Sequence, residues 1–280
     1  MLNHRSAIAV TIALYACMTL SACISPQQRV VTEVIEASRR SDALPLPHLI
    51  DETLTIAEAY RVQKRVALAQ LRGAQPGGFK AGLTSAQSQA RFRTDAPVAG
   101  VLPRDGLLPA DATLRLSELR GLNIETEIAM RIGTPIRSRI PDANELRKHI
   151  DGIAPAIELP NLHFVALDQA DAMDIIATNV GAAAYIVGDF VSPATRDPNE
   201  PTPRLACNGN EINKGHARDA LGDQWEAARF LVNTMLEQGW ALEPGQILLT
   251  GALGRMIPAS VGDCSADYGN WGTITFHIVQ

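Results

Sequence analysis

The stretch Leu122-Asn123-Ile124-Glu125-Thr126-Glu127-Ile128-Ala129-Met130-Arg131-Ile132 alternates from end to end. Ile124, Thr126, Ile128, Met130 and Ile132 fall on one face, and Asn123, Glu125, Glu127, Ala129 and Arg131 on the other, because successive side chains of a strand point to opposite sides. The run predicts a strand with one apolar face and two carboxylates on the other. At positions i and i+2 the β-carbons of the two glutamates stand roughly 7 Å apart. Like charges that close repel unless water, a partner cation or a metal offsets them. Carboxylate oxygens suit hard ions such as Mg2+, Mn2+ or Ca2+. A solvated strand face, or an ion pair with Arg131, accounts for the same pair equally well at this stage.

Outward from that strand the periodicity is mixed. Toward the N-terminus, Ile56, Ala59, Tyr60, Val62, Val66, Ala69 and Leu71 recur at helical spacing, with Thr55 and Glu58 placed for a capping box. Gly73, Gly77 and Gly78 end that helix, a strand starts at Phe79, and residues 85–93 suit a short helix. Toward the C-terminus, residues 144–150 read as helix, and residues 155–159 and 182–188 as strands. A hairpin is centred on Asn208-Gly209, an amphipathic helix spans residues 225–237, and the last strands lie in 245–251 and 263–279. Strands with a few helices and no regular β–α alternation predict an α+β fold. With no internal repeat or interdomain linker, residues 48–280 read as one domain.

The chain has 280 residues, 46% hydrophobic and 20% charged, with a net charge of −5. It is long enough to bury a full core, and without a basic surplus it is not a nucleic-acid binder. Residues 1–22 read as a signal peptide: His4 and Arg5, an apolar run, then Leu20-Ser21-Ala22 before Cys23. The ending resembles a bacterial lipoprotein signal, which would make Cys23 the lipidated residue and the cell envelope, facing the periplasm, the location. Residues 23–47 are polar, with a short helical patch, and read as a tether running into the domain. Cys207 and Cys264 would then sit where disulfides persist, although spacing alone does not say whether they pair.

Other residues could join the Glu125–Glu127 pair. Glu158 lies inside the apolar run Ala154-Pro155-Ala156-Ile157-Glu158-Leu159, where a charge needs a partner. Lys80, among Phe79, Ala81 and Leu83, could be buried and lose basicity or could snorkel to water. The turn Thr250-Gly251-Ala252-Leu253-Gly254 could present backbone N–H groups to a carboxylate. The histidines lack zinc spacing, and no P-loop, dinucleotide fingerprint or nucleophile elbow occurs.

Together Phe79–Ser85, Gly100–Leu102, Ile124–Ala129, Pro155–Glu158 and Ile247–Met256 resemble the 2-oxopent-4-enoate hydratase and 4-oxalocrotonate decarboxylase family of the fumarylacetoacetate hydrolase superfamily. They keep the family's order and spacing. The resemblance implies a mixed β-roll with flanking helices, a homo-oligomer, and Mg2+ or Mn2+ held by Glu125, Glu127 and Glu158. It makes Lys80 the catalytic amine, either a proton shuttle or the group that steadies an enolate, and places the substrate near Thr250, Gly251, Leu253 and Asn179. Departures from the family pattern fall at Val98, His163, Thr178 and Gly181.

The implied activity is a metal-dependent lyase acting on a small unsaturated 2-oxo acid, a hydratase first. The alternatives are a 2-oxo-acid decarboxylase, an acylpyruvate C–C hydrolase and an inactive periplasmic oxo-acid binding lipoprotein.

Overall fold

The computed structural model describes residues 24–280; the signal peptide and Cys23 lie outside the described residues. Among the described residues seven α-helices occur: α1 (Pro26–Arg40), α2 (Pro47–Ile50), α3 (Ile56–Leu71), α4 (Ala86–Arg91), α5 (Ala143–Arg147), α6 (Ala172–Ala177) and α7 (Gln224–Glu237). The strands are β1 (Gly78–Gly82), β2 (Val98–Leu102), β3 (Leu107–Leu108), β4 (Thr113–Arg115), β5 (Asn123–Ile132), β6 (Ile150–Leu159), β7 (Ala184–Val187), β8 (Arg204–Cys207), β9 (Asn210–Lys214), β10 (Ile247–Leu249), β11 (Ile257–Pro258), β12 (Gly262–Asp267) and β13 (Thr273–Val279).

The strands form two sheets. One runs β2-β1-β10-β5-β6-β7-β3, with β11 pairing the start of β5; the other runs β4-β13-β12-β8-β9. Parallel pairs (β1/β10, β3/β7, β4/β13) sit among antiparallel ones, so the sheets are mixed and the α+β expectation holds. The alternating run is β5, flanked by β10 and β6. Its solvated-face alternative does not survive, because Glu127 and Ala129 on the polar face are fully buried along with Ile128 and Met130 on the other. Arg131 turns away and pairs with Asp151.

Local chemistry sets the helices. Thr55 and Glu58 close the expected capping box on α3. Asp223 accepts from the Trp225 and Glu226 N–H groups at the start of α7, whose Trp225, Leu231, Val232 and Met235 are buried in the core shared with both sheets. A second core joins α1, α3 and α6 through Val30, Val34, Tyr60, Val66 and Ile176. The tether reading of residues 23–47 is therefore corrected. Ser25 and Pro26 start a 15-residue helix whose Val30, Val31, Val34 and Ala37 are buried. Burying each valine contributes about 1.5–3 kcal/mol, whereas the polar residues around them dominate the composition and hide this narrow stripe.

The β8–β9 hairpin turns at Asn208 and Gly209, both with positive φ (52° and 77°), as a two-residue hairpin turn requires. Cys207 on β8 and Cys264 on β12 are register partners and form a disulfide, which resolves the pairing left open by spacing. No helix among the described residues is long and apolar enough to cross a membrane.

Candidate metal centre

Register brings the three glutamates together. Glu125 on β5 stands directly opposite Glu158 on β6, and Glu127 follows two residues along the same face. One carboxylate oxygen from each lies within 4.8 Å of the others. Lys80 reaches the group across two strands: it is in register with Leu249 on β10, and Leu249 with Ala129 on β5. Ala129 shares the face of the two glutamates, so the Lys80 side chain rises on that side.

Lys80 is buried and ion-paired with Glu158, and its Nζ donates to the Val180 carbonyl at 3.0 Å. That carbonyl is aimed by an unusual turn, in which Asn179, Val180 and Gly181 all take positive φ (62°, 54° and 65°). A β-branched residue there costs of order 1–3 kcal/mol. The Asn179 amide offsets it by clamping both backbone groups of Val101, accepting from its N–H at 2.8 Å and donating to its carbonyl at 2.9 Å.

Electrostatics follow from burying three acids beside one amine. Burial, then the charge of Glu158, pushes Glu125 up to about 7, with Lys80 opposing. Glu127 is also raised, by burial and then by Glu158 and Glu125, against Lys80 and the Gly251 N–H. Burial alone pulls Lys80 down, but the charges of Glu158, Glu125 and Glu127 outweigh it, and its pKa ends above the ordinary lysine value. The sequence-based expectation of a less basic lysine is thus corrected: the amine is buried, as one alternative had it, but held protonated.

Two buried oxygens, Glu127 Oε1 and Glu158 Oε2, meet no hydrogen-bond donor. Buried carboxylate oxygens without donors are costly, and a hard divalent cation would satisfy them. The donor set fits Mg2+ or Mn2+, and Glu125, Glu127 and Glu158 are the residues that would hold it.

The centre opens into a cavity of about 420 Å3 lined by Lys80, Glu125, Asn123, Ser85, Ser88 and Ala252, with Leu83, Phe92, Leu162 and Met256 among its apolar walls. The four residues expected near substrate also make bonds within the protein. The Thr250 hydroxyl is buried against the Ile128 carbonyl and Gln224. The Gly251 N–H donates to Glu127 Oε2 at 2.8 Å, so it orients a carboxylate of the protein; its φ of +114° and its contact with Thr84 leave no room for a β-carbon. Leu253 is buried and exchanges backbone and side-chain bonds with Thr126. Asn179 clamps β2, as described above.

Tyr268, 141 residues from Glu127, has no sequence signal of its own. Its buried hydroxyl accepts from the Glu127 N–H at 3.1 Å and donates to the Ala156 carbonyl, and burial pushes its pKa up.

Comparison with known proteins agrees with this architecture. Residues 77–276 match the profile described as fumarylacetoacetate (FAA) hydrolase C-terminal. The chain belongs to the fumarylacetoacetate hydrolase family. Among the family's curated members, it is 27% identical over 248 residues to a 2-keto-4-pentenoate hydratase of Paraburkholderia xenovorans (strain LB400), covering 86% of this chain and 90% of that one. It is 29% identical over 234 residues to the 2-oxo-hept-4-ene-1,7-dioate hydratase of Escherichia coli, covering 81% and 88%. The fold superposes on 4-oxalocrotonate decarboxylase from Pseudomonas putida G7, a complex with magnesium and adipate, with a TM-score of 0.84 at 21% identity, over 90% of this chain and 96% of that one.

Four residues depart from the family pattern, one of them Gly181 in the turn that aims the Val180 carbonyl at Lys80. Val98 packs in the α1–α3–α6 core, and His163, Thr178 and Gly181 line a separate cavity of about 180 Å3.

Proposed function

We propose that this chain is a lyase dependent on Mg2+ or Mn2+ that acts on a small unsaturated 2-oxo acid, hydrating its carbon–carbon double bond. The observation that carries the reading is the trio of carboxylates, two of them fully buried with an oxygen each without a donor, beside a protonated lysine in the wall of a largely apolar cavity. The hydratases among the curated relatives act on substrates of this class by name. A bound divalent cation supplies Lewis acidity toward the 2-oxo group and its neighbouring carboxylate.

The chain's own residues supply the rest. Gly251 and Tyr268 fix Glu127 from its side chain and its backbone. Lys80, kept charged by the acids around it, offers a proton and a positive charge at the cavity wall, which suits a donor to developing negative charge and not a base. The apolar walls limit bulk water, so these charges act at short range with little screening.

Decarboxylation is the second reading, favoured by the extent of the fold match to 4-oxalocrotonate decarboxylase and by Val98, which cannot move a proton. The two separate in one assay with Mg2+. Loss of the ultraviolet absorbance of 2-hydroxypenta-2,4-dienoate marks hydration, and release of CO2 from 4-oxalocrotonate marks decarboxylation. Neither signal with either metal would overturn the lyase assignment.

We also propose an envelope location, with lipid on Cys23. The Cys207–Cys264 disulfide supports export, since such bonds persist in oxidising compartments and are rare in the cytosol. The homo-oligomer implied by family resemblance stands as a proposal, tested by light scattering of the purified protein.

A further inference from the structure

The acids stand on β5 and β6 of one sheet, but part of what holds them comes from the other. Asn213 lies on β9, at the edge of the second sheet, and is buried. Its side-chain amide is used in full on the turn that follows β10. Nδ2 donates to the Leu253 carbonyl at 3.3 Å and to the Arg255 carbonyl at 3.0 Å, while Oδ1 accepts from the Arg255 N–H at 3.2 Å. Turned over, the amide would set its oxygen against two carbonyls and its NH2 against an N–H, so the bonds admit one orientation. The turn is gripped on either side of this amide. Gly215, just past β9, lies so close to Leu253 that a β-carbon there would clash with the Leu253 carbonyl group, and the Gly254 N–H donates to Asp219 at 2.9 Å.

The same turn holds the acids. The Leu253 carbonyl that Asn213 engages also accepts from the Thr126 hydroxyl at 2.8 Å, and the Leu253 N–H donates to the Thr126 carbonyl at 2.7 Å. Thr126 is the residue between Glu125 and Glu127. Two positions before Leu253, the Gly251 N–H orients the Glu127 carboxylate. We infer that Asn213 is a positioning residue for the metal centre: it fixes the 251–255 turn from the second sheet, and the turn fixes Glu125 and Glu127. Asn213 does not line the cavity and acts only through Leu253 and Gly251. The inference rests on the reading of the glutamates as metal ligands. A buried amide with all its hydrogen bonds made holds its neighbours in one arrangement, and metal affinity depends on such outer contacts.

Isothermal titration of Mg2+ into the full chain compares wild type with Asn213→Ala and Asn213→Asp, with circular dichroism verifying each fold. Asn213→Ala removes all three bonds and is expected to weaken Mg2+ binding roughly tenfold. Asn213→Asp keeps the shape but sets an oxygen against two carbonyls. Its added negative charge by itself would tighten Mg2+ binding, so the weaker binding expected of it marks displaced ligands. Val34→Ala opens a cavity in the separate core of α1, α3 and α6; it is expected to lose stability and keep the wild-type affinity. Undiminished affinity in either folded Asn213 variant, or an equal loss in Val34→Ala, would overturn the positioning role and leave the metal reading intact. A wild type that binds neither Mg2+ nor Mn2+ would instead remove the metal reading, and the inference with it.

Discussion

Glu127 rests one oxygen on the Gly251 N–H and leaves the other without a donor, so the carboxylate is oriented before any cation arrives. Glu127→Gln keeps an acceptor for Gly251 and removes the charge. It is expected to fold, to lose more than the ~10–100-fold in metal affinity typical of outer-shell changes, and to lose turnover; Mg2+ titration followed by assay checks both. Undiminished Mg2+ binding would remove Glu127 from the ligand set. The neighbouring Glu125 gives a pH signature. Its folded pKa, raised to about 7 from an ordinary 4.5 chiefly by burial, means that the folded state holds the proton more tightly than the unfolded one. That stability is fully present below about pH 4.5 and lost as pH rises through about 7. Glu127, raised for the same reason, acts in the same direction. In EDTA, wild type is expected to lose thermal stability between about pH 5 and pH 8 relative to Glu125→Gln, and added Mg2+ to restore more at the higher pH, because the ligands must be ionised. A gap between the two proteins that stays constant with pH would contradict the buried-acid account.

At the scale of elements, the centre depends on the register of β5 against β6, and Tyr268 pins that register from the other sheet. Its hydroxyl bridges the Glu127 N–H and the Ala156 carbonyl, two residues directly opposite each other. Tyr268→Phe leaves both groups short of a partner in a dry site. The expected costs are about 1–3 kcal/mol of stability and roughly tenfold in Mg2+ affinity, measured by urea denaturation and calorimetry. A variant that loses stability and keeps its Mg2+ affinity would reduce Tyr268 to a packing role. Which parts were legible in the sequence follows from the same geometry. The alternation of β5, the cap of α3 and the Asn208–Gly209 turn are local signals, and they translate directly into structure. Glu125 and Glu127 share a strand, so their pairing could be read, whereas Glu158 and Lys80 could be named from their apolar surroundings but set beside the pair only by family resemblance, since cross-strand register is not written locally. Tyr268 carries no local mark at all. Thr250 and Gly251 stand out as a glycine turn able to hold a carboxylate, and in the structure the Gly251 N–H holds the carboxylate of Glu127. In α1, a stripe of three valines lay hidden in a polar composition, and only its contact with α3 turns the segment into core.

At the scale of the molecule, the disulfide and the N-terminal helix bear on where and how the domain sits. Cys207 and Cys264 close a loop of 57 residues, and removing such a bond costs about 2–4 kcal/mol. Denaturation with and without dithiothreitol is expected to differ by that amount; identical curves would show that the bond adds no stability to the sheet it joins. The correction to α1 changes the picture of the anchor. If Cys23 carries lipid, only Ile24 and Ser25 separate it from a helix that starts at Pro26 and is packed into the domain. Three extended residues span at most about 10 Å, so the catalytic domain would lie against the bilayer and not range from it on a 25-residue leash. Cys23→Ala is therefore expected to abolish incorporation of labelled fatty acid into the protein while Mg2+-dependent turnover is kept, because Cys23 precedes α1 and the acids sit on β5 and β6. Labelling of that variant to the wild-type level would place the lipid elsewhere in the chain.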